Sequence, residues 1–203
     1  SRSTFSLLTC THSLLEVKFF EVNFFNLSLK SLVKEFVSAP VEKNFTVFSS
    51  RFKFLELDNS LILLYPCIRV YFDNVIFSSI SNNDNHLIYF HTTTVLSKNY
   101  HVYGFNNTLF ENIDITFKTL EIEKKPRYFI FVRYGTMGNG GTIFITNTNF
   151  KNISFQKDFG DNKLIYIACV YCILNRIVIE NATNTTIIHH RATAEYATFD
   201  VSD

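Results

Sequence analysis

Four short apolar runs punctuate the chain: Leu61-Ile62-Leu63-Leu64, Leu87-Ile88-Tyr89-Phe90, Phe129-Ile130-Phe131-Val132 and Leu164-Ile165-Tyr166-Ile167. Each is strand-sized and follows a polar residue (Ser60, His86, Tyr128 or Lys163), which predicts buried β-strands rather than helices. Polar stretches of unequal length separate the passes, among them 81–86, 118–127 and 156–163, and a last pass opens at Ile187-Ile188.

A phrase recurs between the runs: aromatic or aliphatic, any residue, Asn, aliphatic, any residue, apolar. It reads Phe72-Asp73-Asn74-Val75-Ile76-Phe77, Phe110-Glu111-Asn112-Ile113-Asp114-Ile115 and Phe150-Lys151-Asn152-Ile153-Ser154-Phe155. Looser copies stand at Phe24-Phe25-Asn26-Leu27-Ser28-Leu29 and Ile179-Glu180-Asn181-Ala182. On a straight strand, residues facing one side recur every two positions. Phe110, Ile113 and Ile115 instead take one step of three, so the chain must bend between the first two. Asn is the non-glycine residue that best tolerates the left-handed backbone such a bend needs. Asn26, Asn74, Asn112, Asn152 and Asn181 are therefore the expected corners, with the last four at equivalent bends of successive turns. Five residues before the inward residue stands another apolar one: Phe105, Ile145 and Leu174, with Cys67 the weaker match ahead of Phe72.

Three passes thus share one order: apolar strand, corner, strand, Asn corner, strand. An antiparallel sandwich also has many short strands but would not need the step of three. The expectation is an all-β parallel β-helix, or β-solenoid, of about five to seven irregular coils with about 26 to 42 residues each. Residues 61–203 carry the coils, continuous with an N-terminal coil or cap region over 1–60. There, Leu29, Leu32, Val33 and Phe36 fall at helical spacing, which predicts a short helix over 29–37 capping the exposed strand edge.

Composition agrees with this picture. At 203 residues and 47% apolar, the chain can bury a large core, and 23 Phe and 10 Tyr suit strands. The 20 Asn suit turns. A net charge of +1 without a basic stripe argues against a nucleic-acid partner. Lys124, Lys125 and Arg127 form one basic patch and read as a solvated turn. The longest nearly pure apolar run, 164–174, is too short for the roughly 20 residues of a membrane helix, so no membrane span is expected. Opening on Ser1 rather than Met, the sequence reads as a processed chain or part of a longer one.

Gly140-Gly141-Thr142-Ile143, followed by Phe150-Lys151-Asn152, resembles the paired GGAI and FxxN motifs of β-helical surface proteins. These include the bacterial polymorphic outer-membrane proteins and secreted protist β-helix repeat proteins. Here the second motif is FxN and the GG element occurs once. The resemblance implies a right-handed coil and an extracellular or cell-surface setting, with roles in adhesion, wall structure or carbohydrate binding. Such motifs specify coil geometry rather than activity.

Candidate chemistry is sparse. Asn147-Thr148-Asn149 and Asn175-Arg176-Ile177 echo motifs of polygalacturonase-like enzymes, but the carboxylate pair and His motif that acid–base catalysis would need are absent. Cys10, Cys67, Cys169 and Cys172 can form two disulfides or serve as small buried hydrophobes. Adjacent strand residues His189 and His190 would point to opposite faces, against joint metal binding. Of six N-x-[ST] sequons, Asn26, Asn152 and Asn181 are corner residues with inward side chains, whereas Asn44, Asn106 and Asn184 fall in expected turns and are the glycosylation candidates. The expected function is a non-enzymatic extracellular structural or adhesive module that self-associates into filaments or binds surface or matrix proteins and glycans, without cofactor or metal. The alternative is a carbohydrate-binding or polysaccharide-cleaving β-helix, with Tyr71, Tyr100 and Tyr103 as sugar-stacking rings.

Overall fold

The computed structural model describes residues 6–10, 16–29, 31–35, 44–57, 61–64, 69–82, 86–92, 101–116, 128–134, 141–156, 162–168, 171–190 and 198–202. The chain is an all-β parallel β-solenoid. Its first sheet takes seven strands in chain order: β1 (Ser6–Cys10), β4 (Ser31–Glu35), β7 (Ile62–Leu64), β10 (His86–Thr92), β13 (Tyr128–Tyr134), β15 (Lys163–Ala168) and β17 (Thr186–His190). Following one column through Leu8, Val33, Ile62, Ile88, Ile130, Ile165 and Ile188 gives steps of 25, 29, 26, 42, 35 and 23 residues. The unequal steps fall in the connecting segments, while the strands keep register.

The second sheet wraps around the rest of each coil. One limb holds β2 (Glu16–Phe20), β5 (Asn44–Phe48), β8 (Arg69–Asp73) and β11 (His101–Asn106). The other holds β3 (Asn23–Leu29), β6 (Arg51–Leu57), β9 (Ile76–Asn82) and β12 (Leu109–Ile115). The longer β14 (Gly141–Phe155) and β16 (Tyr171–Thr183) run through both limbs, and β18 (Thr198–Ser202) pairs with β16. Every ladder among the described residues is parallel, which excludes the antiparallel sandwich for them.

Each pass through this sheet makes two bends five residues apart, both in left-handed backbone. The first column of bends is Glu21, Ser49, Asn74, Asn107, Asn147 and Arg176; the second is Asn26, Phe54, Ser79, Asn112, Asn152 and Asn181. All five expected corner asparagines have positive φ. Their phasing needs one correction. Asn74 stacks with Asn107 at the first bend, and Ser79 is the counterpart of Asn112 in that coil. Phe77 rather than Phe72 is therefore the counterpart of Phe110, and the residue five before it is Phe72, not Cys67.

The core follows from these columns. Phe24, Phe52, Phe77, Phe110 and Phe150 stack in sequence along the solenoid, with centroid separations of 5.2, 5.0, 5.0 and 5.0 Å and interplanar angles of 15° or less. That separation sits just above the strand spacing of about 4.8 Å, so successive coils place one ring on the next. Phe72 stacks on Phe105 in the same way at 5.0 Å. The heavy use of Phe fits this arrangement: a repeating layer of fixed thickness accepts one flat ring per coil.

Polar residues enter the core where they can bond to the backbone. Directly after the first bend, Ser50, Thr108 and Thr148 are buried, and their hydroxyls donate to the carbonyl oxygens of Phe48 (2.7 Å), Asn106 (3.0 Å) and Thr146 (2.8 Å). A buried hydroxyl satisfied in this way avoids the roughly 1–3 kcal/mol cost of an unmade hydrogen bond.

The expected helix over 29–37 is absent from its described part. Residues 31–35 form β4, which pairs on one side with β1 and on the other with β7. Backbone pairing on both sides outweighs the helical spacing of four apolar residues. The strands before residue 60 belong to the same two sheets as those after it, and Phe52, Leu55 and Leu57 join the same core.

Candidate functional site: the corners and two outward faces

The corner side chains point outward, against the inward orientation expected of Asn26, Asn152 and Asn181; all three are exposed. At the second bend the amides form a ladder: Asn152 Nδ2 donates to Asn112 Oδ1 (2.9 Å), and Asn181 Nδ2 donates to Asn152 Oδ1 (3.0 Å). Backbone groups at the bends are satisfied between coils, as in Asn74 N–H to Asn106 O (3.1 Å) and Asn107 N–H to Thr146 O (3.2 Å).

A second polar ladder runs beside the first bend. The Asp73 carboxylate accepts from Asn106 Nδ2 (2.9 Å) and Asn107 Nδ2 (3.2 Å). Asn106 Oδ1 in turn accepts from Thr146 Oγ1 (2.8 Å) and Asn147 Nδ2 (3.1 Å). Asn106 is thus a strand residue held by neighbours on both sides, not the turn residue expected of a glycosylation candidate. Asn44 likewise opens a strand, β5. Asn184 does lie at an exposed bend with φ of 58°, and its Nδ2 donates to Phe155 O (2.8 Å).

Next to this ladder lies an outward aromatic strip. Tyr71 contacts Phe48 (5.8 Å) and Phe144 (5.6 Å). Tyr71, Gly104 and Phe144 occupy one register column, so Phe144 reaches Tyr71 only by lying across Gly104. A Cβ at residue 104 would overlap the tip of the Phe144 ring, which explains the glycine. Burial, then the charge of Asp73, raise the pKa of the Tyr71 hydroxyl, while a hydrogen bond with Asn106 opposes them. Of the other proposed sugar-stacking rings, Tyr103 is buried and stacked on Phe90 at 4.7 Å, so it faces the core; Tyr100 lies outside the described residues.

The outward face of the first sheet carries a different set. His86 lies against Tyr89 (5.0 Å) and Tyr128 (5.1 Å), and Tyr128 contacts Tyr166 (4.9 Å). Lys163 follows Tyr128 in register but is buried, and its Nζ donates to Thr186 Oγ1 (3.4 Å).

The enzyme-like echoes have structural roles. Asn147 and Arg176 are first-bend residues, and Thr148 is a buried, backbone-bonded core residue. Cys172 is buried in the inward column of Tyr103 and Ile143. Cys10 ends β1, while Cys67, Cys169 and the patch of Lys124, Lys125 and Arg127 lie outside the described residues. Among the described residues no group of three or more His, Cys, Asp or Glu is placed to hold a metal ion, and no helix is long and apolar enough to cross a membrane.

No family model, curated protein or solved structure matches the chain.

Proposed function

We propose that this chain is a non-enzymatic structural or adhesive β-solenoid module of the extracellular space or cell surface. The observation that supports it most is the use made of its polar side chains. Asn112, Asn152 and Asn181, and beside them Asp73, Asn106 and Thr146, bond to their counterparts in adjacent coils. A catalytic site gathers unlike groups with divergent pKa values around one point; here like groups are repeated along an axis, as in a scaffold. The similarity of Gly141-Thr142-Ile143 and Phe150-Lys151-Asn152 to motifs of β-helical surface proteins supports the surface setting.

Self-association follows from the edges. Among the described residues β1 and β17 each pair on one side only, and so do β2 and β18. Such edges offer backbone groups that a further parallel strand can take up. Concentration-dependent elongated particles in electron microscopy and sedimentation are expected. Dispersed monomers at high concentration would remove self-assembly from the reading. Where the chain meets a glycosylation machinery, Asn184 is the first candidate to carry a glycan, and glycopeptide mapping reads that directly.

A carbohydrate-binding role is the second reading, carried by the Tyr71–Phe144 strip beside an amide and hydroxyl ladder. Retention on insoluble neutral glucans that is lost in Tyr71→Ala, without cleavage of any polymer, would favour it.

A further inference from the structure

We propose that Tyr128 and Tyr166, outward on the first sheet, form an oxidative cross-linking site. One-electron oxidation joins the two rings as dityrosine and staples adjacent coils, whether or not the chain is adhesive. Tyr128 opens β13, and Tyr166 belongs to β15, the next strand of the sheet. In each of these strands two consecutive buried residues, Phe129-Ile130 and Leu164-Ile165, separate the outward positions before and after them. Tyr128 pairs in register with Lys163, ahead of this step, and Tyr166 follows it. The two tyrosines therefore meet diagonally across neighbouring coils.

Their ring centroids are 4.9 Å apart, with the planes inclined by 59°. That separation lies at the short end of the roughly 4.5–7 Å range of aromatic pairs, so the two rings are in van der Waals contact. His86 also touches Tyr128 (5.1 Å) and packs on Tyr89 (5.0 Å), which restrains the Tyr128 ring on the face. Both tyrosines are half-buried: packing holds them while solvent still reaches them. Tyr71 and Tyr103 stand in different company. Tyr71 meets Phe48 and Phe144, and buried Tyr103 stacks on Phe90. A Phe ring has no phenol to oxidise, so those contacts offer no coupling.

The chemistry balances with a peroxide as the oxidant. A haem peroxidase consuming hydrogen peroxide takes one electron and the hydroxyl proton from each tyrosine. The two phenoxyl radicals then form a bond between a Cε of one ring and a Cε of the other. The hydrogen on each bonded carbon moves to its own ring's oxygen as aromaticity returns. The chain thus loses two hydrogen atoms, and the peroxide becomes two waters. Proximity directs the coupling. Groups held in reacting geometry have effective concentrations of about 10⁵ M or more, far above that of any second chain.

The test treats the dilute full chain with a haem peroxidase and hydrogen peroxide, then reads dityrosine fluorescence, intact mass and peptide maps. The expected product is lighter by two hydrogens and has Tyr128 linked to Tyr166 within one chain. Tyr128→Phe and Tyr166→Phe keep the ring and remove the hydroxyl. Each should cut the fluorescence by about 10-fold or more, whereas Tyr71→Phe should leave it unchanged. The linked chain should withstand more denaturant than the unlinked one, because a cross-link restricts the unfolded state. Circular dichroism checks that each variant folds; should Tyr128→Phe not fold, Tyr166→Phe decides. Absence of dityrosine, links that map mainly to other tyrosines or between chains, or fluorescence that survives in both variants would overturn the inference. So would a linked chain no more resistant to denaturant.

Discussion

The coils around Asn107, Asn112, Asn147 and Asn152 and those around Glu21, Ser49 and Phe54 make the same two bends with different side chains. In the central coils both corners are Asn, and the amides bond coil to coil. In the early coils a carboxylate, a hydroxyl and an exposed Phe ring occupy left-handed backbone, where a residue other than Gly, Asn or Asp is penalised by roughly 1–2 kcal/mol. The early coils bend all the same. What they share with the central ones is the core: Phe24 and Phe52 continue the ring stack, and Ser50 both donates to Phe48 O and accepts from Val22 N–H (3.1 Å). Packing between coils therefore imposes the bend, and the corner side chain only adjusts how much the bend costs.

If the ring stack contributes most to stability, removing a ring from its middle should have the largest effect. Phe110 touches Phe77, Phe150, Phe105 and Phe129. Phe110→Ala should destabilise by about 3–5 kcal/mol in chemical denaturation. Phe24 is only partly buried and contacts Phe52 and Phe19, so Phe24→Ala should cost about half as much. Equal losses would show that both regions depend on the stack alike. Gly104→Ala ranks next, at about 1–3 kcal/mol, because the new methyl meets Phe144. The same change in a Phe144→Ala background should cost much less, and a double-mutant cycle measures the coupling.

Corner exchanges address the comparison directly. Asn152→Ala forfeits both amide contacts and the tolerance for positive φ, and should lose about 1–2 kcal/mol. Asn152→Gly keeps the backbone freedom and isolates the ladder's share. Phe54→Asn should act the other way, raising stability by about 1 kcal/mol, since the ring it removes is 57% exposed. If Phe54→Asn destabilises, the ring has a packing role that its exposure hides.

These contrasts also explain what could be read from the sequence. The step of three residues and the Asn preference identified the bends, because both reflect backbone geometry. The phase was lost because two bends five residues apart produce the same local phrase. Phe72-Asp73-Asn74-Val75 is a first bend, and its counterpart Phe105-Asn106-Asn107-Thr108 was hidden by a Thr that is polar in composition yet buried in the fold. Phe54 and Ser79 stand where the second bend has Asn in other coils, so counting Asn alone does not trace that bend through the early coils. Tyr103 gave no signal to separate it from Tyr71; strand parity places one inside and one outside, and parity requires the phase. The two outward faces were illegible for the same reason, since which rings meet on them depends on parity and on which strands share a sheet.

The smallest effect concerns the Tyr71 hydroxyl, whose pKa in the folded chain lies above the ordinary 10.0 through burial and the nearby Asp73 carboxylate. The unfolded chain gives up this proton first as the pH rises, so between the two pKa values the native state binds more protons. The contribution is full below pH 10 and is lost as pH climbs through the folded value. Tyr71→Phe removes the group that titrates while keeping the ring against Phe48 and Phe144. Its stability should therefore fall less steeply than that of the parent as pH rises through and above 10, with the two profiles running parallel below that. Parallel profiles above pH 10 as well would mean that the strip leaves the hydroxyl as free to ionise as in water, and that the polar ladder beside it does not reach the ring.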